Sequence, residues 1–569
     1  MKKNSAMKKY FFLLLIISNL VSAQFTKINI VKEIHTQNKG MVVSAHPLAS
    51  EAGAKILNMG GNAFDAAIAT QYALAVVYPQ AGNIGGGGFL VGYTQKGEKI
   101  ALDYRETAPT KAYRDMYLDE KGKANTDLSQ NGRLAVGVPG SVSGMFYTHK
   151  KFGKLPMATL IQPAIDLAEK GFAITEREAN LLNATKEDFL KHNTHKTAFT
   201  KETPWKQGDL LIQKELANTL KLIQKNGEKA FYEGKNAQLL VEEMKRGNGI
   251  ISLEDLKNYK TKERKALSFD YKNHEVVSMP LPSSGGTLLA QMLKMSSFED
   301  LSKYEQNSPE ALQIMVEAER RAYADRAEYM GDPDFIEDKT QLLISDDYLK
   351  NRWKSFSFDK ATPSADVGKI IHQPKESDQT THLSIIDKYG NAVSVTTTLN
   401  GLYGSKVVVK GGGYFLNNEM DDFSVKPGVP NMFGAVGGEA NSIAPNKRML
   451  SSMTPTIVLK NQKPYIIVGT PGGTTIPTSV YQSIVNVIDF KMSPNLAINA
   501  PKFHHQWLPE VVFVEKNFPE HTIKTLEQKN YKFEKRGGIG RTEMIIVDEK
   551  GNSTAVADGR GDDSVAVED

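Results

Sequence analysis

A mixed helix-and-sheet fold of the α+β class is predicted by three observations: two stretches of period-two alternation that fold back on themselves, a pair of helices with clear stop signals near the start, and a long helix-rich middle between the two alternating stretches. Taken in order, a strand-like start at 39–44 leads into a helix over about 48–59 that stops at Gly60-Gly61. Asn62 then caps a second helix over 63–77, ended by Pro79. Four glycines, Gly85 to Gly88, invite a phosphate-loop reading, but no Lys-Ser/Thr follows and the next segment alternates like a strand. Close backbone packing explains them better. Residues 89–93 and 99–105, joined by a turn at Lys96-Gly97, make a hairpin that ends on Arg105.

The middle, 146–360, is helix-rich, with 317–330 its clearest helix and Pro280 to Gly286 its clearest break. Over 355–379 the apolar period fades into Ser, Pro, Asp and Lys, the composition of an exposed, cleavable linker. A second hairpin follows, 380–398, with Gly390 supplying the left-handed position its short loop needs. Residues 427–446 are Gly/Pro/Asn-rich and aperiodic, as in a mobile loop that covers a site. Strands at 456–459 and 465–469 break at Thr470-Pro471-Gly472-Gly473 before a helix over 476–490. Paired glycines there either expose N–H groups for an oxyanion or simply make a tight strand-to-helix turn, and both readings stand.

The chain has 569 residues, 40% hydrophobic, enough for a large core. Residues 1–23 carry Lys2, Lys3, Lys8 and Lys9, an apolar run from Tyr10 to Ile17, and Val21-Ser22-Ala23, which reads as a Sec-type signal peptide and a periplasmic or secreted address. Removing those four lysines takes the formal charge from +5 to 5 − 4 = +1, so the basic balance belongs to the leader and makes no case for nucleic acid. No other apolar stretch is long enough to cross a bilayer. Zero Cys excludes disulfides, thiol nucleophiles and thiolate metal sites.

If Asp387 closes the hairpin loop against Asn391, Thr380 faces Thr398 across the ladder. Alternation then places Thr380, His382, Ser384, Ser394, Thr396 and Thr398 on one face, with Leu383, Ile385, Val393 and Val395 on the other. A row of hydroxyls has a plain explanation as an exposed face built from good strand formers. It also admits a functional one: a chain break before Thr380 would free an amine able to take the proton from the Thr380 hydroxyl.

Other chemistries fare worse. His504-His505 on a strand would point to opposite faces with no carboxylate at ligand spacing, so both read as structural. Ser357-Phe358-Asp359-Lys360 matches Ser-x-x-Lys without its companion motifs, and neither a Gly-x-Ser-x-Gly elbow nor His-Glu-x-x-His occurs. Scattered polar groups remain, and spacing alone does not bring them together.

Several of these groups sit in strings that resemble the bacterial gamma-glutamyltranspeptidases: Asp103-Tyr104-Arg105-Glu106, Tyr323-Ala324-Asp325-Arg326, Thr380-Thr381-His382, Thr398-Leu399-Asn400, Asn417 to Phe423, Pro445 to Met453 and Gly469 to Gly473. The resemblance covers nearly the whole chain after the leader. It implies an N-terminal-nucleophile hydrolase with a four-layer αββα sandwich and a helix-rich region in its large subunit, made as a precursor that cuts itself between Gln379 and Thr380. The expected pieces are 24–379 and 380–569, which remain interlocked.

By the same resemblance, Thr380 is the nucleophile, Thr398 hydrogen-bonds to it, and Gly472 and Gly473 offer oxyanion N–H groups. Arg105, Ser451 and Ser452 hold a substrate α-carboxylate, and Asn400, Glu419 and Asp422 take the α-ammonium. The implied activity is transfer of a γ-glutamyl group from glutathione or related amides to water, amino acids or dipeptides, without cofactor or metal. Phe433 departs from the family pattern, standing in the lid-like loop where relatives carry a Tyr that bonds the residue matching Asn400. A looser lid and more hydrolysis are expected. The alternatives are a cephalosporin acylase of the same superfamily cleaving a glutaryl amide, and a solute-binding protein without turnover.

Overall fold

The structure, a computed structural model, describes residues 28–368, 380–432 and 434–569. The leader, the later part of the 355–379 linker with Gln379, and Phe433 lie outside the described residues.

Two seven-stranded antiparallel sheets organise the chain. The first runs Ser564–Val567, Met41–Ser44, Thr381–Ile386, Ala392–Thr398, Gly87–Tyr93, Lys99–Asp103 and Lys262–Arg264. The second runs Glu33–Gln37, Asn552–Ala557, Glu543–Val547, Lys463–Gly469, Thr456–Lys460, His274–Ser278 and Leu267–Tyr271. Each sheet mixes strands from before and after Thr380, so the two halves of the chain are interlocked by ladder hydrogen bonds.

The 380–398 hairpin forms in the predicted register: Thr381 pairs with Thr397, His382 with Thr396 and Ser384 with Ser394. Asp387 N donates to Asn391 O at 3.0 Å, and Gly390 closes the loop at φ 90°. Leu383, Ile385, Val393 and Val395 pack outward into a cluster shared with the helices Pro47–Asn58 and Ala63–Val77, each such burial being worth about 1.5–3 kcal/mol. The second helix is buried along its whole length and opens on a capping box, Asn62 Oδ1 accepting from Asp65 N at 2.9 Å and Asp65 Oδ2 from Asn62 N at 3.1 Å.

The hydroxyl face differs from its plain reading: it is buried, not exposed. It faces the second sheet, where Ser384 Oγ donates to Glu543 O and Ser394 Oγ to Val468 O, each at 3.1 Å. Hydroxyls suit that position because Ser384 and Ser394 each satisfy a carbonyl of the opposing sheet. His382 lies in the same layer, bonded to Thr396 Oγ1 at 2.8 Å and Ser384 Oγ at 3.1 Å, and burial lowers its pKa to about 3. Room for the ring depends on Gly469, where a Cβ would stand 2.1 Å from His382 Cε1.

Three apolar clusters follow from this arrangement. One joins the outer face of the first sheet to its helices, and one lies between the sheets, with Val43, Phe89 and Val91 against Val277, Ile457 and Ile545. The third joins the outer face of the second sheet to the helices Gly285–Ser296, Pro309–Tyr329 and Thr475–Ile488.

Two sequence expectations shift. The middle is not purely helical, since it supplies Lys262–Arg264 to the edge of one sheet and the hairpin 267–278 to the edge of the other. Polar edge strands such as Lys262-Glu263-Arg264 carry little apolar alternation to read. The linker also starts later than its composition suggests: Ser364 is buried, its Oγ donating to Trp507 O at 2.8 Å and accepting from Arg320 Nη1 at 2.7 Å. His504 and His505 are both buried, bonded to Thr478 Oγ1 and Val511 O at 2.9 Å each.

Candidate active site

Thr380 stands at the start of the strand Thr381–Ile386, near the centre of the first sheet, and is 4% exposed. Neighbouring strands bring the other groups to the same sheet end. Thr398 closes Ala392–Thr398, and its Oγ1 accepts from Asn400 N at 2.8 Å. Asn400 adopts φ 73°, a left-handed turn that Asn tolerates, and donates from Nδ2 to Asn418 O at 3.0 Å. Arg105 follows the strand Lys99–Asp103, where Asp103 Oδ1 accepts from its backbone N at 3.1 Å. Glu419 and Asp422 lie on a single 3₁₀ turn, Glu419–Asp422, anchored by Asn417 Oδ1 accepting from Glu419 N at 3.0 Å.

Thr380, Thr398, Arg105, Asn400, Glu419, Asp422, Ser451, Ser452 and Gly473 line one small cavity. Gly472 and Thr380 line a second cavity alongside it. The ten residues singled out in the sequence, apart from the cleavage partner and the lid position, therefore meet around the Thr380 side chain. The glycine pair sits in a tight turn ahead of Thr475–Ile488 with φ 139° at Gly472 and 56° at Gly473, as the turn reading expects. A Cβ on Gly472 would lie 2.3 Å from Thr475 Oγ1.

The electrostatics are unusual for a buried site. The fully buried Arg105 guanidinium pairs with Glu419 through Nη1 and with Asp422 through Nη2, and its Nε donates to Met449 O at 3.3 Å. Glu106 adds a third carboxylate, 3.8 Å from Nη1. Burial works against the Arg105 charge, but Glu419, Asp422 and Glu106 outweigh it and hold its pKa above the ordinary value. The carboxylates respond in the opposite sense. Burial raises Glu419 well above its usual range and raises Asp422, with Arg105 opposing in both cases, and Glu106 is pushed up to about 7. The groups expected to take a substrate's ammonium thus hold the guanidinium expected to take its carboxylate.

The loop 427–446 packs over this cluster: Asn431 Nδ2 donates to Asp422 Oδ1 at 3.0 Å, and Met432 N to Asp421 Oδ2 at 2.8 Å. Asn431 and Ala435 line the cavity.

The gamma-glutamyltranspeptidase family profile matches residues 49–568. The chain belongs to that family. It is 46% identical over 533 residues to the glutathione hydrolase proenzyme of Escherichia coli strain K12, across 93% of this chain and 92% of the relative. The gamma-glutamyltranspeptidase of Helicobacter pylori matches at 44% identity and a TM-score of 0.57, over 62% of this chain and 99% of that one. A cephalosporin acylase from Bacillus halodurans superposes with a TM-score of 0.81 at 27% identity, over 95% of this chain and 97% of that one.

In this gamma-glutamyltranspeptidase-family chain the cavity also holds Arg326, which the sequence reading quoted only as part of a string. It projects from the helix Pro309–Tyr329, its Nε donating to Ser284 Oγ at 3.0 Å and its Nη2 to Ser452 Oγ at 3.3 Å. No carboxylate lies within 4.0 Å of it among the described residues, and burial lowers its pKa. Asp422 acts on its charge without direct contact, and a buried guanidinium bonded to hydroxyls with no carboxylate touching it is suited to an incoming anion. The available signal was an arginine in the last turn of a largely buried helix.

Proposed function

We propose that this chain is an autoprocessed γ-glutamyl acyltransferase and hydrolase acting on glutathione and other γ-glutamyl amides, with Thr380 as nucleophile. One observation carries the reading: the Thr380 side chain shares a buried cavity with a guanidinium and carboxylates able to grip both charged ends of an amino-acid head group. When a zwitterionic head group enters, its carboxylate takes over Arg105, supported by Ser451, Ser452 and Arg326, and its ammonium takes over Glu419, Asp422 and Asn400. The exchange keeps every buried charge paired, which lowers its desolvation penalty. A γ-carbonyl is then set beside Thr380.

The Thr380 hydroxyl attacks that carbonyl, its proton passing to the Thr380 amine or to a water held by it. The N–H groups of Gly472 and Gly473 receive the oxyanion, and Thr398 orients the nucleophile. Collapse breaks the amide C–N bond, the amine leaves with the proton, and a γ-glutamyl ester remains. Water or an acceptor amine then takes the acyl group.

This reading needs cleavage between Gln379 and Thr380, giving subunits 24–379 and 380–569 after loss of a 1–23 leader and a periplasmic or secreted location. The interlocked strands account for how such pieces would stay together. Among the described residues no helix is long and apolar enough to cross a membrane. We read the architecture as the four-layer αββα sandwich of N-terminal-nucleophile hydrolases, a reading supported by the order helices, sheet, sheet, helices implied by the three clusters.

A glutaryl-specific acylase is the nearest competing function, and the acylase likeness in fold gives it a basis. Two carboxylates on Arg105 favour the γ-glutamyl substrate, because a glutaryl group brings no ammonium to replace the guanidinium. Intact-mass measurement with a γ-glutamyl-p-nitroanilide assay tests the proposal: wild type gives two pieces and turnover, and Thr380→Ala gives one piece and none. A continuous chain with full activity refutes it.

A further inference from the structure

The helix Pro309–Tyr329 sends a second side chain toward the site besides Arg326. Three residues earlier, and so on the same helix face, Tyr323 is buried and donates from its hydroxyl to Thr474 O. Thr474 directly follows Gly473 and lines the head-group cavity with it. The turn that Tyr323 grips is also held by short-range bonds. Gly472 O accepts from Thr475 N at 3.0 Å and from Thr475 Oγ1 at 2.7 Å, and Gly473 O accepts from Ile476 N at 3.3 Å. In a trans peptide the N–H points away from the carbonyl, so tying Gly472 O to the start of Thr475–Ile488 turns Gly473 N–H away from that helix. These local bonds fix the turn on its own helix, whereas Tyr323 ties it to a different one. The phenol ring is itself set edge-on to His504, with centroids 5.7 Å apart at 85°, and His504 bonds Thr478 Oγ1 at 2.9 Å in the helix that follows the turn.

From this geometry we infer that Tyr323 is a positioning residue for acyl transfer: through Thr474 O, its hydroxyl fixes the Gly472-Gly473 turn where its N–H groups meet the oxyanion formed at Thr380. The inference rests on the γ-glutamyl reading and adds to it a residue outside the cavity lining. Oxyanion donors are effective when they already stand in place as charge develops, because a donor that must first move loses its advantage over water. A glycine pair is conformationally permissive and has no side chains to hold that place. The same helix carries Arg326, which donates to Ser452 Oγ at 3.3 Å on the head-group side. One rigid element thus sets the spacing between the grip on the substrate's α-carboxylate and the turn that receives its γ-oxyanion.

The test is Tyr323→Phe, which removes the hydroxyl and keeps the ring packed against His504. Wild type and variant are compared for kcat and KM with γ-glutamyl-p-nitroanilide, corrected for the cleaved fraction measured by intact mass. Inhibition is compared for L-glutamate and for its analogue in which a boronic acid replaces the γ-carboxyl group. The boron bonds the Thr380 oxygen as the hydroxyl proton leaves, giving a tetrahedral anion that calls on the oxyanion N–H groups, whereas glutamate calls on the head-group contacts. Tyr323→Phe is expected to lower kcat by roughly three- to tenfold, the range for one neutral hydrogen bond. Boronate affinity is expected to fall by the same factor, with KM and glutamate inhibition unchanged. Unaltered kcat and boronate affinity overturn the positioning role, and so does an equal weakening of glutamate and boronate, which marks a general loosening of the site. Absence of any γ-glutamyl-p-nitroanilide turnover by wild type overturns the underlying function as well, so the two failures are distinguishable.

Discussion

Asp422→Asn separates the proposed ammonium-binding role of the 3₁₀ turn from everything else the site does. Asp422 presents Oδ2 to Arg105 and Oδ1 to Asn431 Nδ2, and its side chain is 13% exposed, so an amide of the same shape fits without a cavity. The change removes one negative charge from a cluster of three carboxylates around Arg105. A γ-glutamyl anilide loses a charge-assisted contact to its ammonium, worth about 1.5–3 kcal/mol, or about 10- to 150-fold in kcat/KM. A glutaryl anilide keeps the terminal carboxylate and lacks only the ammonium, so it serves as an internal control for damage to Arg105. The assay is kcat/KM for both anilides on wild type and Asp422→Asn, after confirming that each preparation is cleaved to the same extent. The expected result is a fall of at least tenfold in the γ-glutamyl to glutaryl ratio. A ratio that stays constant while both rates drop together would refute the assignment of Asp422 to the ammonium, and a wild-type ratio below one would favour the acylase reading.

Two further outcomes are expected. Glu106 is pushed up from 4.5 to about 7 chiefly by burial, with Arg105 opposing, so the folded protein keeps a proton there that the unfolded chain releases between those pH values. Stability from this group therefore falls as pH rises from about 4.5 to about 7, by up to about 3 kcal/mol. Glu106→Gln should flatten that part of the Tm against pH curve, and parallel curves for the two proteins would contradict the argument. Phe433→Tyr adds the hydroxyl that the lid position lacks, and is expected to lower the ratio of hydrolysis to transfer with glycylglycine. An unchanged ratio would remove the lid argument.

Local chemistry was legible wherever a single segment carries its own instructions. Asn62 with Asp65 sets the start of Ala63–Val77, Gly390 sets the hairpin loop, and alternation sets the pairing of Thr381 with Thr397 and hence the placing of Thr380 near Thr398. The strings around Arg105, Thr380, Glu419 and Ser451 are enough to place the chain in its family.

Alternation reports which side chains share a face, but not what covers that face. For that reason the hydroxyl row of 380–398 looked solvent-facing and is instead a buried layer satisfying the backbone of a sheet built from residues as far away as Glu543. The strands at 262–278 were hidden for a related reason, since edge positions draw their stability from a neighbour and need little apolar pattern of their own. Arg326 and the second cavity, lined by Arg177, Arg541 and Arg560, were invisible in one dimension because the sequence does not say which carboxylates each arginine meets. Sequence alone determined the local elements and the family, and it pointed to Thr380 as the proposed nucleophile. Only the tertiary structure decided that Arg105 holds Glu419 and Asp422 and that a second cavity opens on Thr380, because charge pairing between residues over three hundred positions apart depends on which strands the sheets bring side by side.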